Sequence, residues 1–370
     1  MHGRAYEKDL VYSNHPCQFA HKPSCNESEK SKMSDQVNSR SLVVFKDDSG
    51  KPRRELRIGE LAPLADNRVR VQVKYSSLNY KDALCSTGHP GVARNLPLVP
   101  GIDAAGSVVQ SNCADVATGS EVMIFHADFG TKANGGFTQF VDVPADYVYP
   151  LPDGLSSREA MIIGTAGFTA AQSVDELIKH GVAPSSGPVV VSGATGGVGS
   201  LAVKLLASLG YEVVASTGKA DRHDMLAKLG AASVIDRATL NDTSDTPLLK
   251  GNWAGAVDTV GGRTLATILR MTKPHGCVTA CGLVAGVELN LSIYPFILRG
   301  VTLQGIDSAT ISRDYREKLW ARIAGEWQMD DLENIATEVT LANLDEQIAA
   351  ILGGAVSGRV LVDVSSEYEA

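Results

Sequence analysis

The stretch Val189-Val190-Val191-Ser192-Gly193-Ala194-Thr195-Gly196-Gly197-Val198-Gly199-Ser200 decides the fold. Three valines make a short apolar strand, the glycines make a turn bare of side chains, and the run to Leu209 reads as an amphipathic helix closed by Gly210. A nucleotide pyrophosphate requires this order. Its oxygens are approached by uncovered backbone amides, and the next helix aims its N-terminal N–H groups at the negative charge. Against the pattern G-x-G-x-x-G, Ala194 replaces the first glycine, while Gly196 and Gly199 stand. Glycines alone would also suit a purely structural turn. The succession of strand, turn, helix and second strand carries the stronger reading.

Outward from this motif, helices are predicted over 157–169, 170–180, 200–209 and 222–229. They alternate with apolar strands over 188–191, 211–215, 233–235, 255–258 and 277–280. That alternation specifies a parallel, doubly wound sheet buried on both faces. Ahead of Pro150-Leu151-Pro152 the texture differs. Short β-branched or alternating runs at 41–45, 69–75, 106–109, 121–125 and 137–143 are separated by turns such as Asp48-Ser49-Gly50 and Asn134-Gly135-Gly136. A β-rich lobe therefore precedes an α/β lobe.

The 370 residues are enough for two to three domains. A formal net charge of −8 argues against nucleic-acid or anionic-membrane partners, which need a basic face. No apolar run approaches the roughly 18 residues of a spanning helix. Six cysteines are too few for a disulfide scaffold and point to a reducing, cytoplasmic setting. Residues 1–33 lack apolar periodicity and read as a disordered tail, with Met33 an alternative start. His15, Cys17, His21 and Cys25 in that tail read as incidental rather than as a metal set.

The coenzyme is legible at the end of the strand at 211–215. NAD sites tend to place an acid there for the ribose 2′-hydroxyl. This chain has Ser216-Thr217-Gly218-Lys219, then Arg222, with Asp221 the dissenting residue. Hydroxyls and a cation accept a 2′-phosphate that an acid would repel, so NADP(H) is expected. The plainer reading of Lys219 is a solvated surface charge. Residues 256–262 and 279–283 both end apolar strands in glycine, where a doubly wound sheet forms its ligand crevice. Cys277 and Cys281 alternate within one strand and read as packing.

Together with the run Ser77-Leu78-Asn79-Tyr80-Lys81-Asp82, these features resemble the medium-chain dehydrogenase/reductase superfamily, quinone oxidoreductase branch. Three segments are similar to its acrylyl-coenzyme A reductase group: residues 97–103, 160–170 and 295–308. The resemblance covers about 41–364. It implies a GroES-like β-rich catalytic domain at 34–161 and 299–370, a Rossmann NADP-binding domain at 162–298, and a homodimer. It also implies an NADP site lined by Tyr80, Thr195, Gly196, Gly197, Val198, Thr217, Gly218, Lys219, Arg237, Leu283, Ile297 and Ser308. The family often has arginine at Lys219, so here the phosphate would meet a point charge rather than a fork.

Zinc-dependent relatives hold their metal partly through Gly-His-Glu, where this chain reads Gly101-Ile102-Asp103. Cys85 and His89 are two ligands, short of a tetrahedral set, so no metal is expected. Without a Lewis acid, reduction of an activated C=C bond fits better than alcohol oxidation. Tyr80 is expected beside the nicotinamide, bonding to it or donating toward an enolate, with Asn79 orienting it and Lys81 or Asp82 tuning the phenol. The plainer alternative for Tyr80 is packing at a strand–helix junction. Arg94, Arg299 and Arg359 are candidates for coenzyme A phosphates. The leading function is NADPH-dependent reduction of acrylyl-CoA to propionyl-CoA. Reduction of quinones or free enones is the alternative, and a non-catalytic NADPH-binding protein a further one.

Overall fold

The computed structural model describes residues 38–365; the tail expected over 1–33 lies outside them. The first lobe holds strands β1 (Asn38–Lys46), β2 (Pro52–Glu60) and β3 (Arg68–Leu78), helix α1 (Tyr80–Ser86), then β4 (Ala104–Ser111), β5 (Glu121–Ile124), β6 (Phe140–Pro144) and β7 (Val148–Pro150). Next come α2 (Ser157–Lys179), β8 (Val189–Val191), α3 (Gly197–Ser208), β9 (Val213–Thr217), α4 (His223–Lys228) and β10 (Ser233–Asp236). They are followed by β11 (Trp253–Asp258), α5 (Gly262–Arg270), β12 (Thr272–Ala280), α6 (Tyr294–Arg299) and β13 (Thr302–Gly305). The described chain closes with α7 (Arg313–Ala324), β14 (Ala336–Thr340), α8 (Leu344–Leu352) and β15 (Arg359–Asp363).

The α/β lobe is built on a six-stranded sheet in the order β10-β9-β8-β11-β12-β13, every pair parallel. The order reverses between β8 and β11, which opens the ligand crevice at their carboxyl ends. Both faces are covered. Val189 and Val191 pack into the core with Leu201, Leu205 and Phe168, while Val190 joins Ile268, Leu269 and Val278 on the other face. This double burial explains the uninterrupted valines, each contributing about 1.5–3 kcal/mol when fully buried.

The β lobe has a seven-stranded sheet in the order β14-β15-β3-β4-β5-β7, with β6 also on β3. The chain returns to it through β15, whose Val360–Asp363 pair antiparallel with Leu78–Tyr75. That return comes later than residue 299, because β13 first adds a parallel strand beside β12. Residues 297–303, apolar enough to read as one strand, are divided. Residues through Arg299 are helical, and Gly300 (φ 59°) ends that helix in the left-handed conformation before β13 begins.

Two helices were expected to meet at 169/170. Instead α2 is one run broken at Gly164 (φ 50°, ψ −160°). A Cβ there would lie 2.6 Å from Asp103 Oδ2 and 2.9 Å from Arg359 Nη2, so only glycine lets the helix pass. The break frees Thr165 N–H to donate to Asp103 Oδ2 at 2.8 Å. Among the described residues, no helix is long and apolar enough to cross a membrane.

Candidate coenzyme and active site

The glycine turn is shaped by close approach. Gly193, one position ahead of the expected first glycine, has φ 57°, and a Cβ on it would fall 2.4 Å from Thr259 Oγ1. A Cβ on Gly199 would fall 2.3 Å from the Gly193 carbonyl oxygen. Gly196 caps α3, leaving Gly196, Gly197 and Val198 half-buried while Thr195 is buried. Ser192 Oγ donates to Asp258 Oδ1 at 2.6 Å, and Thr259 Oγ1 donates to the Ser192 carbonyl at 2.9 Å. These two bonds staple the ends of β8 and β11 across the switch point.

The 2′-phosphate candidates sit at the end of β9. Thr195 Oγ1 and Thr217 Oγ1 are 3.3 Å apart. Gly218 lies under Arg237: a Cβ on it would be 2.7 Å from that side chain's Cδ and Nε. Arg237 is exposed and has no hydrogen bond or ion pair among the described residues. Lys219 is already engaged, correcting the view of it as an open cation. Its Nζ donates to the carbonyls of Val356 (2.7 Å) and Ala355 (3.2 Å) and to Ser357 Oγ (3.2 Å). Burial, followed by the neighbouring Arg222, lowers its pKa.

A third group joins both lobes. Asp103 Oδ2 accepts from Ser77 Oγ (2.6 Å), Asn79 Nδ2 (2.9 Å) and Thr165 N. Asp82 Oδ2 accepts from Asn79 N, and its Oδ1 from Ile102 N, each at 2.8 Å. Burial, reinforced by the charge of Asp103, pushes Asp82 up to about 7. Arg359, delivered by β15, donates from Nε to the Ile162 carbonyl (2.7 Å) and from Nη1 to Asn79 Oδ1 (3.2 Å). Its buried Nη2 has no hydrogen-bond partner among the described residues, and a Cβ on Gly197 would lie 3.0 Å from its Nη1. Gly358 N–H donates to the Thr195 carbonyl at 2.8 Å, tying the same strand to the glycine turn.

A zinc-binding dehydrogenase model matches residues 197–325, and an alcohol dehydrogenase GroES-like domain model matches 65–153. The acrylyl-CoA reductase of Ruegeria pomeroyi is 45% identical over 327 residues, 88% of this chain and 99% of that protein. The chain belongs to the medium-chain dehydrogenase/reductase superfamily. A putative quinone oxidoreductase of Bacillus subtilis is 44% identical over 300 residues, 81% of this chain and 91% of that protein. A Bacillus subtilis structure solved with NAD bound covers 89% of this chain and all of its own, with a TM-score of 0.85 at 41% identity. An oxidoreductase from Salmonella enterica in complex with NADP covers 88% of this chain and all of its own, with a TM-score of 0.84 at 42% identity.

Within this superfamily fold, the expected site residues divide. Thr195, Gly196, Gly197, Val198, Thr217, Gly218 and Arg237 gather along the carboxyl ends of β8 and β9. Leu283, 59% exposed, follows β12 and abuts the Gly261 turn. Tyr80 opens α1 at 40% exposure, so it is no core residue. Ser308 Oγ lies 2.9 Å from Thr169 Oγ1. Ile297 is the outlier, 63% exposed on α6 in an apolar strip with Ile293, Tyr294 and Leu298. Asn79, expected beside the reacting atoms, is 9% exposed and spends its amide on Asp82, Asp103, Ser77 and Arg359.

Two of the three coenzyme A candidates are corrected. Arg299 is consumed by the carbonyls of Leu249, Arg270 and Thr272, and Arg359 is buried between the lobes. Arg94 is exposed. Among the described residues, no three His, Cys, Asp or Glu side chains are grouped to hold a metal. Asp103, read from sequence only as a departure from Gly-His-Glu, is instead the hub of the inter-lobe network. Nothing in its local sequence distinguishes a hub from a lost ligand.

Proposed function

We propose that this chain reduces the C=C bond of an α,β-unsaturated acyl-CoA with NADPH, acrylyl-CoA to propionyl-CoA. The single observation that carries the reading is 45% identity across nearly the whole length of an acrylyl-CoA reductase. The residues present fit the coenzyme. Gly196 and Gly197 open α3 without side chains, and Arg359 Nη1 lies 3.0 Å from where a Cβ on Gly197 would stand, so bare backbone amides and a fixed positive charge meet a pyrophosphate there. Gly197 leaves room there that a Cβ would take. Arg237 and Thr217 suit the 2′-phosphate, and Tyr80 is positioned on α1 to orient the nicotinamide end.

When bound, the reduced nicotinamide supplies a hydride. The chain's own contribution is to bind, orient and exclude. The Asp103 network fixes the two lobes against each other, so α1 and the glycine turn keep one spacing without a metal pin. The reading is therefore zinc-independent. The Bacillus relative's name supports a second reading, reduction of quinones or enones by the same site. A homodimer fits the unpaired edge of β13 and the exposed strip on α6, and a cytoplasmic setting fits the free cysteines Cys85, Cys113, Cys277 and Cys281. The test is NADPH oxidation with acrylyl-CoA, crotonyl-CoA and a benzoquinone in parallel. Preference for acrylyl-CoA is expected, and turnover of the quinone alone contradicts the reading.

A further inference from the structure

Reduction of an enoyl thioester leaves negative charge on the thioester oxygen, for which the sequence offered Tyr80 as a donor and no cation. A small cavity lies beside α1, with Lys81, Phe125, His126, Thr165, Ser308 and Arg316 among its walls. Its polar side chains are the cations Lys81 and Arg316, the hydroxyls Thr165 and Ser308, and the His126 imidazole, with no carboxylate among the described residues. Asp307, adjacent to Ser308, is held below the usual carboxylate range by the Thr310 hydroxyl, and Lys81 is close enough to add to the effect. Arg316 is 4% exposed. Its Nη2 donates to the Ser308 carbonyl at 2.8 Å, its guanidinium lies 5.0 Å from the Phe168 ring centre, and its buried Nε has no hydrogen-bond partner among the described residues. A buried donor without an acceptor is costly and marks a place where an acceptor belongs. On α1, Asn79 and Asp82 are spent on structure, while Lys81 is exposed and reaches the cavity.

We propose that this cavity receives the substrate's developing oxyanion and that Lys81 is the catalytic acid within it. The inference rests on the enoyl-reductase reading above. The hydride from NADPH forms the new C–H bond at the β-carbon, and the C=C π pair moves into the α-carbon–carbonyl system as an enolate. Lys81 Nζ donates a hydrogen bond to the enolate oxygen and then one proton to the α-carbon. Bulk water reprotonates the neutral amine. One hydride and one proton are added, and the coenzyme is oxidised by two electrons. Arg316, held among aromatic rings, is a second, immobile cation that stabilises the same charge.

The test uses Lys81→Ala and Lys81→Arg in the full chain. Because Lys81 is exposed, melting temperature and the NADPH affinity measured by fluorescence should match wild type. Acrylyl-CoA reduction by Lys81→Ala should fall by about 100-fold, the range for a lost general acid. Added methylamine should restore at least about tenfold of it, and Lys81→Arg should stay low. In D2O, wild type should place deuterium on one face of C2, and Lys81→Ala on both. Lys81→Ala activity within about threefold of wild type overturns the proposal. So does a loss without amine rescue in which NADPH affinity falls equally. If wild type reduces a 2-enone but not acrylyl-CoA, the substrate reading fails. The same variants, measured on the enone, then still decide Lys81, since its enolate carries the same oxygen. Activity confined to quinones overturns both.

Discussion

At the scale of single residues, the two cations of the proposed phosphate site have different surroundings. Lys219 bonds the 355–357 loop, whereas Arg237, without a hydrogen bond or ion pair among the described residues, lies over Gly218. Arg237→Ala should therefore weaken NADPH binding by roughly ten- to a hundred-fold and leave NADH nearly unchanged, as fluorescence titration would measure. Lys219→Ala should weaken both, since it loosens the loop that precedes Arg359. Equal losses for both coenzymes in Arg237→Ala would make that arginine structural. Tyr80 is exposed, so Tyr80→Phe should lower the reduction rate by at least about tenfold with no change in melting temperature. A stability loss with an intact rate would contradict that. Asp82 has a folded value of about 7, above the unfolded value near 4, because burial and Asp103 oppose its ionisation. Its contribution to stability is full below pH ~4 and is lost as pH rises toward 7. Urea unfolding should show Asp82→Asn gaining on wild type between pH 4 and 7.5; a constant gap would deny the shift. The glycine turn and Thr217 were legible in sequence because backbone approach and strand ends leave local signatures. Asp103, Arg316 and Arg359 were not, because their roles depend on partners more than 60 positions away or on buried surroundings.

Among the elements, Gly164 is the position on which the inter-lobe geometry turns. Gly164→Ala must accept a positive φ and push Asp103 or Arg359 aside, which should cost about 2 kcal/mol or more in denaturant unfolding and lower the reduction rate as well. A neutral variant would mean that the break in α2 serves only packing. The sequence hides that break. A helical period runs through residues 157–180, and the reason for interruption lies on a loop some 60 residues earlier. β2 was invisible for the opposite reason. Arg53, Glu55 and Arg57 make one face polar, and Arg54 leaves only Leu56 and Ile58 apolar on the other, as suits an exposed edge paired only with β1. The parallel strands were easy to read because burial on both faces makes them continuously apolar. Residues 297–303 look like another such strand, but Gly300 divides them between α6 and β13.

For the molecule as a whole, two lobes meet along Arg359, Asn79, Asp103 and the start of α3, and the proposed chemistry needs both. Leu298→Asp, placed on the exposed apolar strip, should convert a dimer to a monomer by light scattering if a second copy covers α6. A wild type that is already monomeric would remove that proposal and leave the site unaffected. A net charge of −8 is compatible with a small-molecule enzyme and gives no reason to expect nucleic acid. The central claim is hydride delivery from NADPH to an enoyl thioester, and isotope transfer tests it most directly. The protein is incubated with acrylyl-CoA and NADPH deuterated at C4 of the nicotinamide, each diastereomer separately, and the acyl product is analysed by mass spectrometry. One diastereomer should yield propionyl-CoA carrying a single deuterium on C3. Absence of propionyl-CoA, or propionyl-CoA without the label from either diastereomer, would contradict the account.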